Sequence, residues 1–450
     1  MKRILLTITA LMFVLSLSAQ TTFERTYEMY NSAFSDLVFC QEDGYLMAMI
    51  SLKDKYYLSL VKTDLNGDTL WTKDHDRGIQ GLTDLVGTED EQGNIYIGSR
   101  MGNENLLKLD KDGNIIWAKM YSTTKREMIV KNNILWVCGN AFPGNYLFKI
   151  DANTGDSIWR SNIFHVDFSG GATSHGTSIA LTENNEVIVT VSYSNSFEPF
   201  LEQTAFFKLL PNSNDIIEFS LNITNPFVVI DTKNFGNELI SVANPVGYLS
   251  NNSSYFIRYT SDGTILAYNE EVFGYNNAIL YKCVITDENN VVALGGAVTG
   301  SQSGHIMLHA FSMNGDSLWT ELLGNYEQTG WDLKIAGDNG FIITGGEEFQ
   351  ANYKPFLIKT NSLGVLNAIP EMAGLSLKAY PNPASGNVTI EIPGIRSGNI
   401  IIYNSMGAVC CELNIVGEKT VWDCNNYQPG IYAYSVISNG SFVSGKIVVK

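Results

Sequence analysis

Charge is scarce in this chain of 450 residues: only 17% are Asp, Glu, Lys or Arg, and cations are the rarer sign, 29 against 46. The resulting net charge of −17 repels phosphate backbones and argues against a nucleic-acid partner. Residues 1–19 and 377–450 are close to neutral, so the acidity belongs to the segment between them. Cysteine is sparse as well. Cys40, Cys138 and Cys283 are too scattered to pair or to share a metal. Cys410 and Cys411 are neighbours whose side chains point to opposite faces of a strand, so at most one of them can meet Cys424. Beyond the N-terminus no apolar run approaches the ~20 residues of a membrane-spanning helix. Helical periodicity is nowhere sustained. No Gly-x-Ser-x-Gly elbow, His-Glu-x-x-His helix, EF-hand loop or Walker sequence is found.

Hydrophobic residues make up 45% of the chain, Tyr and Phe number 22 each, and Asn and Ser crowd the loops. That mixture suits an all-β protein with many turns. The N-terminus has two cations, Lys2 and Arg3, then an apolar stretch to Leu17 and small residues at Ser18 and Ala19. This is the build of a signal peptide over 1–19. The first cysteine after it is Cys40, which gives no support for a lipid anchor at the new N-terminus.

One stretch, Leu106–Lys119 (LLKLDKDGNIIWAK), recurs seven times in worn copies. Each copy is an apolar run ending in a cation, a tight turn, and a second apolar run. The turn glycine falls at 67, 113, 155, 263, 315 and 364, with Asp215 in the fourth copy, a spacing of about 50 residues. Before each copy stands a second hairpin signal, such as Asp43-Gly44, Asn132-Asn133 or Asn339-Gly340. One repeat is therefore four short strands, A to D, and seven repeats predict a seven-bladed β-propeller over 20–368. Phe23–Tyr27 has the character of a D strand without a blade of its own and is expected to complete the seventh blade. The recurring cation (Lys62, Lys108, Lys149, Lys208, Arg258 and Lys359, with His309 in the sixth copy) is expected to pair with turn acids such as Asp64, Asp110 and Asp151. Trp71, Trp117, Trp159 and Trp319 should fill one D-strand packing position. Asp36, Asp84 and Asp332 precede A–B turns on strands that should line the central channel, where solvation by channel water is expected.

The repeat period resembles that of secreted quinoprotein-like propellers of the PQQ type, a likeness of architecture alone. That resemblance would imply calcium-ligating acids and vicinal cysteines around a quinone. The only vicinal pair, Cys410-Cys411, lies outside the repeats, so neither quinone nor calcium is expected as a cofactor.

After 368 the repeat stops, and 369–376 reads as a linker. Residues 377–450 hold six or so short strands split by Pro-Gly, Ser-Gly and Asn-Gly turns, the pattern of a small β-sandwich. The series Tyr380-Pro381-Asn382-Pro383, then Gly407, then Gly430-Ile431-Tyr432 and the terminal Lys446–Lys450 resembles the type A C-terminal sorting domain of type IX secretion cargo in Bacteroidota. It implies the secretion machinery as a partner, with release or attachment at the outer cell surface.

The expected function is recognition of an extracellular glycan, peptide or protein. The alternative is an enzyme on the same scaffold, a quinone-dependent dehydrogenase or a polysaccharide-degrading enzyme. Loops that depart from the repeat carry function on a rigid scaffold. The largest departures flank the fourth blade, around 162–177 and 192–203. They bring forward His165, Asp167, Phe168, His175, Tyr193, Phe197, Glu198 and Phe200, a set of aromatics and carboxylates suited to a sugar or peptide.

Overall fold

The computed structural model describes residues 22–28, 32–79, 85–99, 104–122, 124–141, 144–165, 173–194, 202–210, 214–224, 227–245, 252–298, 304–324, 328–349, 352–366, 378–392, 397–404, 409–438 and 441–450. The chain divides into two compact units, Met1–Leu366 and Asn367–Lys450.

Among the described residues of the first unit, the strands pair into five separate four-stranded antiparallel sheets and one eight-stranded sheet, in which the first and last of seven four-stranded blades are linked through a single bridge, Ser32 to Tyr353. The blades span 32–79, 85–119, 124–165, 173–219, 227–272 and 276–323, and the seventh joins 328–359 to Phe23–Thr26. The A strands (Ser32–Gln41, Leu85–Glu89, Thr124–Lys131, Thr173–Leu181, Phe227–Phe235, Asn276–Ile285 and Gln328–Ile335) each touch the next, and the last touches the first. This closed ring of inner strands makes the unit a β-propeller. Buried apolar side chains form a seam between each successive pair of sheets. Leu37, Leu46 and Ile97 belong to the seam of blades 1 and 2, and Val38, Met47 and Ile342 to that of blades 7 and 1. Two covered faces explain why B and C strands read apolar without alternation. The outer D strands alternate instead, as Ile265–Val272 does residue by residue.

The hairpin chemistry is finer than the dipeptides suggest. Only the A–B turns of blades 1, 3 and 5 are two-residue loops, at 42–43, 132–133 and 236–237. In blade 3 both turn residues are left-handed, Asn132 at φ 52° and Asn133 at φ 60°. Blades 2, 4, 6 and 7 have five-residue turns in which one residue, such as Asn185 at φ 61° or Asn289 at φ 59°, takes the left-handed conformation. The Asn-Asn pairs of blades 4 and 6 thus supply one such residue and not two.

Closure uses the same contacts as every other seam. Trp71 of blade 1 packs where a Cβ on Gly113 of blade 2 would clash, and Trp117 does the same to Gly155 of blade 3. Phe23 stands in that relation to Gly67 of blade 1. Four residues beyond the ring, a polar side chain bonds the turn-glycine carbonyl of the next blade. His75 reaches Gly113 at 3.0 Å, Tyr121 donates to Gly155 at 2.7 Å and Tyr27 donates to Gly67 at 2.8 Å. Phe23 and Tyr27 therefore dock on blade 1 as Trp117 and Tyr121 dock on blade 3. The strand itself pairs in register with the C strand of blade 7, Phe23 opposite Lys359 and Thr26 opposite Phe356.

The second unit is a sandwich of two sheets. Lys378–Tyr380, Asn387–Glu391 and Lys419–Asp423 form one, and Ser397–Tyr403, Val409–Val416, Gly430–Ser438 and Ser441–Val449 the other. Its core gathers Val388, Ile400, Trp422, Tyr434 and Ile447. All six cysteines of the chain are free thiols, and Cys424 in this core donates to the Gly386 carbonyl.

Candidate functional site

Of the eight candidate ligand-binding residues, the structure places three. His165 ends the D strand of blade 3 opposite Gly144. His175 is the bulged residue in the A strand of blade 4, between Ser174 and Gly176. Tyr193 lies near the end of that blade's B strand, opposite Ser174 and Gln203. Asp167, Phe168, Phe197, Glu198 and Phe200 lie outside the described residues. Strands run further than the sequence suggests on both sides of each connection, Ser157–His165 and Thr173–Leu181 about the first and Val187–Ser194 and Glu202–Leu209 about the second.

The central channel differs from expectation. Asp332 is completely buried rather than solvated. Its carboxylate sits 2.8 Å from Lys282 Nζ of blade 6 and 3.8 Å from Lys334 Nζ, and it accepts the Val38 amide of blade 1 at 3.0 Å. Asp231 repeats the device in blade 5: Lys233 lies 2.8 Å away and the Cys283 amide of blade 6 donates at 2.9 Å. Each aspartate directly follows a β-bulge in its A strand, which re-aims the side chain toward the neighbouring blade. Burial alone would raise the Asp332 pKa, but Lys282 and Lys334 outweigh it and hold the carboxyl below the usual range. Burial likewise pulls the Lys282 pKa down, and Asp332 with Glu127 and Asp231 more than restores it. The missed signal is a repeated Asp-x-Lys, at Asp231/Lys233 and Asp332/Lys334. The side chain of Asp36, and all of Asp84, lie outside what is described.

The recurring C-strand cation also finds other partners than expected. Lys62 pairs with Asp43 at 2.5 Å and Lys359 with Asp338 at 2.7 Å, both acids of the A–B turn, and Arg258 pairs at 2.6 Å with Glu238, which opens the B strand just after that turn. Asp64 and Asp110 are occupied instead by their own C–D turns, where they accept the amides of Asn66 and Asp68, and of Asp112 and Asn114, at 2.8 to 3.0 Å. Asp151 likewise accepts the Asn153 amide. A short acid beside a tight turn satisfies backbone donors before it reaches a side chain two residues away.

In blade 6 the cation position holds His309, which has no exposed surface. Its Nδ1 is hydrogen-bonded to Thr320 Oγ1 at 2.7 Å, and the ring packs edge-on against Phe273 and Phe311. Its Nε2 is buried without a partner among the described residues. Burial drives its pKa down to about 4. Because the folded value is depressed, the unfolded chain binds the proton first. Stability is then complete above the ordinary value near 6.5 and is lost as pH falls toward 4, by a total on the order of 3 kcal/mol. Denaturant midpoints between pH 7 and 4.5 should therefore fall more steeply for the native chain than for His309→Gln; parallel slopes would contradict this.

On the disc face bearing the A–B and C–D turns, two grooves lie between blades. One, about 550 Å³, separates blades 1 and 2 and is rimmed by Glu42, Asp43, Glu89, Asp90, Glu91 and Asp112. The other, about 370 Å³, separates blades 3 and 4. Both are of a size that takes small ligands. Among the described residues no three His, Cys, Asp or Glu side chains converge as metal ligands would.

In the sandwich unit the sorting motif has a structural use. The Asn382 side chain donates to the Lys446 carbonyl and accepts the Val448 amide, both at 2.8 Å, which fastens the motif to the last strand. Tyr432 is buried and donates to the Gln428 carbonyl at 2.8 Å. Pro381 and Pro383 flank Asn382 with cis peptide bonds. Tyr380 is partly exposed, Gly430 opens its strand, and Gly407 lies outside the described residues.

Residues 378–450 match the family described as the secretion system C-terminal sorting domain. The chain is thus an exported β-propeller carrying a type IX sorting domain, destined for the outer cell surface or the medium. No curated protein matches it by sequence. Solved structures similar to it include the Dos1 propeller, with 8% identity over 76% of this chain and 97% of that one, at a TM-score of 0.47. BamB from Moraxella catarrhalis matches with 14% identity over 94% of this chain and 98% of its own, at a TM-score of 0.39. A protein of unknown function from Dyadobacter fermentans matches with 10% identity over 75% and 99%, at 0.45.

Proposed function

We propose that the exported propeller is a recognition module that binds an extracellular glycan, peptide or protein without transforming it. In this reading the working unit is 20–368, freed of a signal peptide at 1–19 and joined by a linker at 369–376 to the sorting domain at 377–450. The connections of blade 4 carry the binding surface. One observation carries the reading: the polar groups that recur from blade to blade are consumed within the scaffold. In five blades the ladder cation meets an acid of the A–B hairpin, and Asp231 and Asp332 meet the next blade's backbone. What breaks the repeat is left to meet a ligand, and His165, His175 and Tyr193 stand at strand ends bordering 166–172 and 195–201. Aromatic side chains dominate such contacts.

The test begins with the secreted full chain on glycan and peptide arrays. Phe168→Ala, Tyr193→Ala and Phe197→Ala together are expected to weaken the best ligand at least tenfold, since aromatic anchors commonly contribute about 2 kcal/mol each. Undiminished affinity in a folded triple variant would move the site elsewhere on the disc.

A further inference from the structure

Blade 3 breaks the rule that every ladder cation has an acid. Its A–B turn is Asn132-Asn133, where blade 1 has Glu42-Asp43. Lys149 consequently lies against its register partner Trp136, with Nζ 5.4 Å from the ring centroid. Among the described residues neither Lys149 nor the nearby Lys131 has a carboxylate within ion-pair distance, in contrast to Lys108 with Asp90 and Lys208 with Glu186. The acid of the adjacent blade is committed elsewhere: Glu186 pairs with Lys208 at 3.5 Å and accepts the Ser261 hydroxyl at 2.5 Å.

Both lysines line the groove between blades 3 and 4, with Trp136 and the amide side chains of Asn132, Asn185 and Asn214. No carboxylate lines it, whereas the groove between blades 1 and 2 has six against two lysines. On a chain of net charge −17 this is a local reversal of sign. Unneutralised ammonium groups at a concave surface with low-dielectric walls attract anions.

We propose that the groove between the third and fourth blades binds a carboxylate-bearing sugar, such as a hexuronic acid residue. Lys131 and Lys149 would take the carboxylate. Trp136 supplies the apolar surface against which sugar rings rest. The three asparagine amides, each both donor and acceptor, match hydroxyl groups, which also donate and accept. That match favours a sugar over phosphate, whose oxygens are mostly acceptors and would leave most of the amide carbonyls without a donor. A volume of about 370 Å³ suits one or two sugar residues. This site lies on the face opposite the blade 4 connections and does not depend on them.

The experiment is calorimetric titration of the secreted full chain with trigalacturonic acid, beside galactotriose, inorganic phosphate and tetraglutamate. Saturable binding of trigalacturonate alone is expected. Asn133→Asp, which gives Lys149 an acid where Asp43 serves Lys62, should weaken it at least tenfold while leaving the unfolding midpoint unchanged. Lys149→Gln should act alike, and the triple alanine variant of the blade 4 connections should bind trigalacturonate normally. The proposal is overturned by no trigalacturonate binding at millimolar concentration or by equal affinity for galactotriose. Displacement by phosphate or tetraglutamate at the same concentrations, or a folded Asn133→Asp chain that binds as before, overturns it equally.

Discussion

Asp332→Ala is expected to lower the unfolding free energy by about 3–5 kcal/mol, the loss typical of removing one partner from a buried ion pair. Asp332 has no exposed surface, and its two oxygens serve three blades at once: Lys282 from blade 6, Lys334 from its own strand and the Val38 amide of blade 1. Removing the carboxylate leaves the largely shielded ammonium of Lys282 and the half-buried one of Lys334 unpaired, and the Val38 amide without an acceptor. Asp332→Asn should cost less, because its carbonyl can still accept from Val38 while only the charge pairing is lost. The double variant Asp332→Leu with Lys282→Met should recover part of the loss, since an apolar pair of similar volume avoids burying a lone charge. Equilibrium denaturation of the four chains measures the series. A deficit below about 1 kcal/mol for Asp332→Ala would show that channel water solvates the freed lysines after all.

The strand scheme was legible because it rests on local chemistry. Left-handed residues at Asn132, Asn185, Asn289 and Gly113 mark turns, and about 50 residues separate equivalent marks. Even closure could be read, since Phe23, Arg25 and Tyr27 repeat the spacing of Trp117, Lys119 and Tyr121. The ion pairs were not legible, for a geometric reason. Lys62 and Asp64 are two apart on one strand, which suggests a pair, yet Asp64 folds onto its own turn while Asp43 approaches Lys62 from the other hairpin. The Asp-x-Lys shared by Asp231 and Asp332 is the one mark the sequence carries, and it does not announce burial, because the bulge that re-aims Asp332 is a pairing irregularity and not a residue type. The candidate surface at blade 4 rests only on a departure from the repeat, which points to two connections and says nothing of how their side chains are arranged. The basic groove needed the opposite observation, an expected acid that is missing from one turn.

Removing residues 377–450 is expected to leave the propeller in the periplasm, with essentially none at the surface or in the medium. The structure gives the deletion a clean meaning. Every inter-blade seam is drawn from residues of the first unit, and its ring is closed by Phe23–Thr26. The sandwich keeps its own core, from Ala384 to Val449, so its loss opens no apolar seam in the propeller. A mislocalised chain would thus be a folded one, which protease resistance of the periplasmic fraction would verify. Asn382→Ala gives a finer test. It removes both side-chain bonds from the motif to the terminal strand, leaving the backbone pairing of Ala384 with Val448 and Lys450, and spares the apolar core. If recognition reads that fastened end, export should fall severalfold although the sandwich stays folded, because the two lost hydrogen bonds together contribute only about 1–3 kcal/mol. Immunoblots of periplasmic, surface and medium fractions read both variants. Full delivery of the truncated chain would sink the assignment of export to this domain. Full delivery of Asn382→Ala alone would leave export with the domain but remove the fastened motif from what the machinery recognises.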